Sequence, residues 1–407
     1  MTKIAPPQAR DRRDGTRYPR ERTVRLALFG EFGIGNMGND MSGHAMIALV
    51  RSVAPDSELT AISPNPAETT SSLGIPALPI RSPSQNASPG VISRMRNKFH
   101  DLGNLVKVVS RFDAVIVPGT GLLERVEGRA PGGDQTWMLL LSIACWMRRV
   151  PLAWFAVGGS QALPMLQRLT ARAAGRVPHY RSFRDHATAL SLRGRARDER
   201  IVPDIVFSCS VDTRSSSRET GIIGLAVIDY KPENPQARER YLAALAEAAR
   251  DIVRSGRRVK FLLGDLADTA PAKTVHDHAA AFSKHELDNA DPFGPLSAFV
   301  AAAAECDVVI ASRYHALVAS ALAATPVVAV AHADKDVALM EQLGLSDLTL
   351  HADTITSEQI IKYLSQCSET RSEIRSRLIE RTDAFRTDVL REFARSGIAL
   401  PQRRILT

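Results

Sequence analysis

Arg313 and His315 stand two positions apart in the stretch Ser312-Arg-Tyr-His-Ala316. A guanidinium holds carboxylate or phosphate through a planar fork of donors, and an imidazole exchanges a proton near neutral pH. At one site the pair suits an anionic substrate and general acid–base work on it. The same residues also fit a plain ion pair beside a histidine that caps its own helix. Residue types alone leave both readings open.

The surrounding elements decide what the pair can reach. Residues 307–311 read as a short buried strand, and the run from Ala316 through Ala323 reads as a helix that stops before Pro326. Arg313 and His315 therefore fall between a strand's carboxyl end and a helix start. In an open parallel sheet that edge is where ligands bind.

The pattern recurs upstream. A strand over 24–30 runs into Glu31-Phe-Gly-Ile-Gly-Asn-Met-Gly-Asn-Asp40 and a helical run through 45–50. A strand over 113–117 ends in Pro118-Gly-Thr-Gly121, and one over 151–157 ends in Gly158-Gly-Ser160. Glycine admits close backbone approach, and parallel strands align such turns along one edge. The spacing Gly33, Gly35, Gly38 is not the full dinucleotide fingerprint, and the strand near 59–62 does not end in an acidic ribose ligand. Both points disfavour a nicotinamide oxidoreductase.

The remaining pattern alternates strand and helix. Residues 64–89 read as an irregular crossing, 135–148 as a buried helix, 166–174 as a basic helix and 201–207 as a strand. A second series has strands at 222–228, 259–263, 327–330 and 348–350 and helices at 237–253, 296–305 and 334–343. Two charged helices, 357–364 and 370–393, close the chain. The expected fold is α/β, with two Rossmann-like doubly wound domains facing a cleft. The expected divisions are a disordered basic leader (1–22), an N-terminal domain (23–212), a linker (213–220) and a C-terminal domain with the terminal helices (221–407).

Composition narrows the class. The 407 residues are 44% hydrophobic and 24% charged, as in an ordinary soluble protein of about two domains. Part of the net charge of +8 lies in the leader, which suits anionic lipid or another polyanion, or simply solubility. Aromatics are only 5% and no recognition motif is present, which argues against nucleic acid. The leader has no apolar export core, and the apolar run 137–147 is too short to span a bilayer. Cys145, Cys209, Cys306 and Cys367 are scattered, without disulfide or zinc spacing. The expected location is cytoplasmic, with the inner membrane face as a peripheral option, and no metal is expected.

Four stretches give the chain a resemblance to the polysaccharide pyruvyl transferase family. They are Gly33-Ile-Gly-Asn-Met-Gly38; Val117-Pro-Gly-Thr-Gly-Leu122; Tyr180-Arg-Ser-Phe-Arg-Asp185 with Pro203-Asp204; and Ser312-Arg-Tyr-His-Ala316 followed by Pro326-Val-Val-Ala-Val, Lys335 and Leu343-Gly-Leu345. The family's first loop commonly continues Gly-Asp where this chain has Gly38-Asn39-Asp40. A hydroxyl expected two residues after the Arg-Asp pair stands one position later, at Thr188.

The resemblance implies a glycosyltransferase-B-like fold and transfer of pyruvyl from phosphoenolpyruvate to two sugar hydroxyls. The products are a cyclic ketal and free phosphate, in the assembly of a cell-surface or exported polysaccharide or its lipid-linked precursor. It places the acceptor on the N-terminal domain and phosphoenolpyruvate, a co-substrate rather than a cofactor, on the C-terminal one. By motif position Arg313 and Arg184 clamp the donor and His315 is the acid, kept protonated by the donor phosphate. Asp185 either takes a hydroxyl proton or holds Arg184. Lys335 either adds positive potential or forms a surface ion pair. Gly33, Gly35, Gly119 and Gly121 offer backbone donors, and Asn36 contacts substrate or stabilises its turn. The competing reading is a nucleotide-sugar-dependent glycosyltransferase of the same architecture.

Overall fold

Runs of aliphatic residues buried on both faces form the strands, and the amphipathic runs between them form the covering helices. The computed structural model describes residues 23–81, 91–124, 134–160, 163–192, 200–211, 219–280 and 296–398. The first half comprises β1 (Arg25–Phe29), α1 (Met37–Val53), β2 (Glu58–Ser63), α2 (Pro66–Leu73), β3 (Ala77–Pro79), α3 (Val91–Val109), β4 (Ala114–Pro118), α4 (Gln135–Arg148), β5 (Leu152–Val157), α5 (Met165–Ala174), β6 (Tyr180–Phe183), α6 (His186–Ser191) and β7 (Arg200–Ile201). Its seven strands are parallel in the order β3-β2-β1-β4-β5-β6-β7. Strand order reverses between β1 and β4, so the turns after β1, β4 and β5 stand side by side.

The second half continues with β8 (Ile222–Ala226), α7 (Pro235–Arg254), β9 (Arg258–Phe261), α8 (Thr269–Ala280), α9 (Leu296–Ala304), β10 (Val308–Ala311), α10 (Tyr314–Leu322), β11 (Val327–Ala331), α11 (Asp334–Gln342), β12 (Thr349–His351), α12 (Ser357–Glu369) and α13 (Arg371–Ser396). Its five parallel strands run β12-β11-β10-β8-β9, reversing between β10 and β8. The loop carrying Arg313 leaves β10 at that reversal, where neighbouring loops splay apart and leave a crevice.

The two halves touch through their loop edges. Met37 donates its backbone N–H to Gly264 at 3.2 Å, and Leu266 donates to the carbonyl of Gly35 at 3.4 Å. The last helix crosses back: Phe393 of α13 meets Phe155 edge-on at 5.6 Å, and Phe385 meets Phe207 at 5.1 Å.

Three local expectations change. The strand expected over 201–207 ends at Ile201. Pro203 lacks a ladder donor, and Asp204 then starts a 3₁₀ turn, Ile205–Ser208, by accepting from the Val206 N–H. The crossing at 64–89 contains α2 and β3, because Pro66 opens a helix that Gly74 closes in the left-handed region. Helix α8 follows the loop carrying Asp265 and Asp268, in a stretch where the sequence reading placed no helix. The leader 1–22, linker residues 213–218 and the loop with Gly128, Gly132 and Gly133 lie outside the described residues.

Candidate functional site

A cavity of about 310 Å³ lies between the facing sheet edges. Its chemistry comes from the turn after β4 (Glu124), the end of β6 (Arg184), the turn after β10 (Arg313, Tyr314, His315) and the first turn of α11 (Lys335).

Arg184 is the buried cation of the site, 3% exposed. Its guanidinium donates to Glu124 Oε1 at 2.8 Å, lies 3.4 Å from Asp204 Oδ2, and stacks over Tyr314 at 4.4 Å. Tyr314 comes from the other half of the molecule and is hydrogen-bonded in turn to Asp204. A Cβ at Gly158 would lie 2.3 Å from the guanidinium carbon. The glycine turn after β5 therefore makes room for a side chain.

Glu124 is the hub that sequence reading missed. It stands three residues beyond Gly121, and its second oxygen accepts from Lys335 Nζ at 2.8 Å, joining the two halves. Burial alone would push this carboxyl up, but Lys335 and Arg184 outweigh burial and hold it at about 2. A Cβ at Gly121 would lie 2.7 Å from Glu124 Oε1, so that glycine too clears space for the carboxylate. Its position at a strand end, just past a quoted motif, was the signal available in the sequence.

Arg313 caps α10 and is held from one side. Its Nε and Nη2 donate to the two oxygens of Asp268, both at 2.6 Å, and Asp265 lies 3.4 Å away. Asp268 is fully buried, and its neutralisation in low dielectric makes the pair a rigid unit. The edge of the guanidinium carrying Nη1 is the one left for a ligand.

His315 packs edge-on against Tyr314 at 5.2 Å and across the interface against α1. A Cβ at Gly38 would lie 2.0 Å from its Cε1 and Nδ1. Its Nε2 is buried with no hydrogen-bond partner among the described residues. Burial first, then the nearby Arg184 and Lys335, push the imidazole down to about 3. Beside these cations His315 is therefore neutral, and the protonated state expected from the sequence needs an anion next to it.

The candidates divide into two groups. His315, Arg313, Arg184, Lys335, Asn36 and Gly121 line the cavity together. Asp185, Gly33, Gly35 and Gly119 are not among its lining residues. Asp185 is buried and caps α6 by accepting from the Thr188 N–H at 2.6 Å. Gly33 (φ 66°) donates to Asp40 Oδ1, and a Cβ there would meet Thr69. Gly35 (φ 83°) faces Leu266 across the interface, and Gly119 faces Ile205. The first glycine loop thus uses its N–H groups internally: Gly38 donates to the Asn36 side chain and Met37 to Gly264. Asn36 both lines the cavity and caps α1. Lys335 pairs inward with Glu124 rather than on the surface.

Two parallel doubly wound sheets, with a charged cleft between their loop edges, define a two-domain protein of the glycosyltransferase-B type. Similar solved structures include UDP-GlcNAc 2-epimerase from Neisseria meningitidis bound to UDP-GlcNAc. The TM-score is 0.60 at 11% identity, covering 92% of this chain and 99% of that one. Another is Alr3699/HepE of Anabaena, solved with UDP and glucose, with a TM-score of 0.57 at 12% identity, covering 93% of this chain and 100% of that one. At such identities the likeness is one of fold. A search of curated proteins finds no match. The family comes from the sequence profile of the polysaccharide pyruvyl transferases, which matches residues 36–334, and the chain belongs to that family.

Proposed function

We propose that the protein transfers the pyruvyl group of phosphoenolpyruvate onto two hydroxyls of a sugar in polysaccharide assembly, forming a cyclic ketal and releasing phosphate. The observation that carries this reading is the convergence of Arg184, Arg313, Lys335 and an unpartnered His315 nitrogen on one small cleft of a pyruvyl transferase family member.

The charge balance of the cleft orders the steps. Each of its three cations is paired with a carboxylate: Arg184 and Lys335 with Glu124, and Arg313 with Asp268. Lys335 and Arg184 share one carboxylate, so they are the cations an incoming phosphate and carboxylate draw away. The anion then lies beside His315 and opposes the burial and the Arg184 and Lys335 charges that depress its proton affinity. His315 protonates the methylene carbon of the enol phosphate, leaving a cation at C2 that a sugar hydroxyl captures. Glu124, released from its two cations, gains proton affinity and takes the hydroxyl proton. Phosphate leaves with the proton held by Glu124, and the second hydroxyl attacks C2 while its proton returns to His315, which closes the ketal and restores both residues. Asp268 stays on Arg313 throughout and keeps its free edge aimed at the donor.

Phosphate release from phosphoenolpyruvate in the presence of a panel of sugar acceptors tests the reading. Turnover that needs both Arg184 and His315 supports it. Calorimetric binding of UDP with none of phosphoenolpyruvate would instead favour a nucleotide-sugar glycosyltransferase.

A further inference from the structure

Helix α5 is amphipathic the wrong way round for a core helix. Its inward face carries Gln167, Ala171 and Ala174, all buried. Its larger apolar residues point outward: Met165 is 70% exposed, Leu166 54% and Leu169 50%. At roughly 100° per residue the three share the side of the helix opposite that buried face. The adjoining helix α4 ends on a second outward pair, Trp146 at 71% and Met147 at 54%. The two helices meet where Ser142 Oγ donates to the carbonyl of Ala174 at 3.1 Å.

Along this stretch of chain the charge has one sign. Between Asp134 and Asp185 the sequence contains no Asp or Glu. The stretch carries Arg148, Arg149, Arg168, Arg172 and Arg176 beside the apolar side chains, and Arg148, Arg168 and Arg176 are exposed. Aliphatic side chains with a tryptophan, flanked by arginines and lacking acids, match an interfacial helix on anionic lipid. Arginine stems lie along the apolar surface while their heads reach the phosphates, and tryptophan favours the headgroup level.

We infer that the outer face of α5, with the end of α4, docks the protein on an anionic bilayer surface. A second copy of the chain fits less well, because a two-fold interface would set these arginines against each other. A nucleic acid fits less well too, since of the exposed apolar side chains on this face only Trp146 offers a stacking surface. Helix α5 starts beyond the glycine turn of β5, on the sheet edge that carries the cleft. Both α5 and α4 end at the opposite edge, so docking there lays the side of the N-terminal half on the headgroups. The inference stands on surface chemistry and does not depend on the proposed reaction.

The test is sedimentation of the full chain with vesicles of phosphatidylglycerol and phosphatidylcholine, or of phosphatidylcholine alone. Binding is expected only to the anionic vesicles and should weaken as salt rises. The double variants Leu166→Gln/Leu169→Gln and Arg168→Glu/Arg176→Glu should each lose about tenfold or more in affinity, with unchanged melting. A chain lacking residues 1–22 should still bind, and Trp146→Phe should lose a blue shift seen on binding. The inference is overturned by wild-type protein that stays in the supernatant, by variants that sediment like wild type, or by binding that vanishes with the leader alone. Gel filtration showing a dimer that Leu166→Gln/Leu169→Gln dissolves, without vesicle binding, would assign the face to a second copy and overturn it too.

Discussion

Replacing Glu124 by glutamine keeps the shape and one acceptor but removes the charge that joins the halves. A carboxyl held at about 2, against an ordinary 4.5, has its charged form favoured by on the order of 3 kcal/mol. Glutamine forfeits that and leaves Arg184 with Asp204 at 3.4 Å as its nearest remaining carboxylate. Lys335 is partly exposed and regains water, so the net loss at pH 7 should be about 2 kcal/mol. The sign with pH follows from the depressed value. The contribution is full above about 4.5 and disappears as pH falls toward 2, so urea midpoints of wild type and variant should converge in acid. Steady-state phosphate release reads the chemistry separately. As the acceptor's base, Glu124 should be worth about 10²-fold or more in kcat. KM for phosphoenolpyruvate should not rise, because Arg184 and Lys335 no longer exchange partners to bind it. A wild-type kcat would refute the base assignment, and a raised KM with unchanged kcat would leave Glu124 a binding residue.

Other outcomes follow from the same geometry. Gly38→Ala places a methyl 2.0 Å from the His315 ring; activity should drop about 10²-fold while melting falls by only a few degrees. If activity persists, ring position is not critical. His315, held at about 3, resists a proton that the unfolded chain accepts near 6.5. Wild type should therefore lose stability relative to His315→Asn as pH falls from about 6.5 toward 3, and parallel urea curves would contradict a buried neutral imidazole. Asp268→Ala strips Arg313 of both short hydrogen bonds and should cost about 3 kcal/mol in chemical denaturation while raising KM for phosphoenolpyruvate.

Much of the fold was legible because its strands are continuous apolar runs that end in glycine or proline turns. Residues 135–148 were read with the observed bounds of α4, since a buried helix closed by a left-handed Arg149 carries few ambiguous positions. Short elements were not legible: β3 is only three residues long, and the four-residue turn at Ile205–Ser208 packs on α13 through Phe207 and Phe385. Helix α8 was hidden because Pro271 stands in its first turn, where proline also suits a loop.

The sequence by itself determined the residue types of the site and the edge each occupies. Arg184, Arg313, His315 and Lys335 follow strand ends or open helices, and parallel topology sends those positions to one side of a sheet. Tertiary structure alone decided the pairings. Glu124 lies 211 positions from Lys335 and Asp268 45 positions from Arg313, separations that no local pattern encodes. It also changed the meaning of the glycines. Local spacing made Gly38, Gly121 and Gly158 look like ligand cradles, yet each leaves room for a side chain: His315, Glu124 and Arg184. Steric room is a property of what packs opposite, and only the folded chain specifies that.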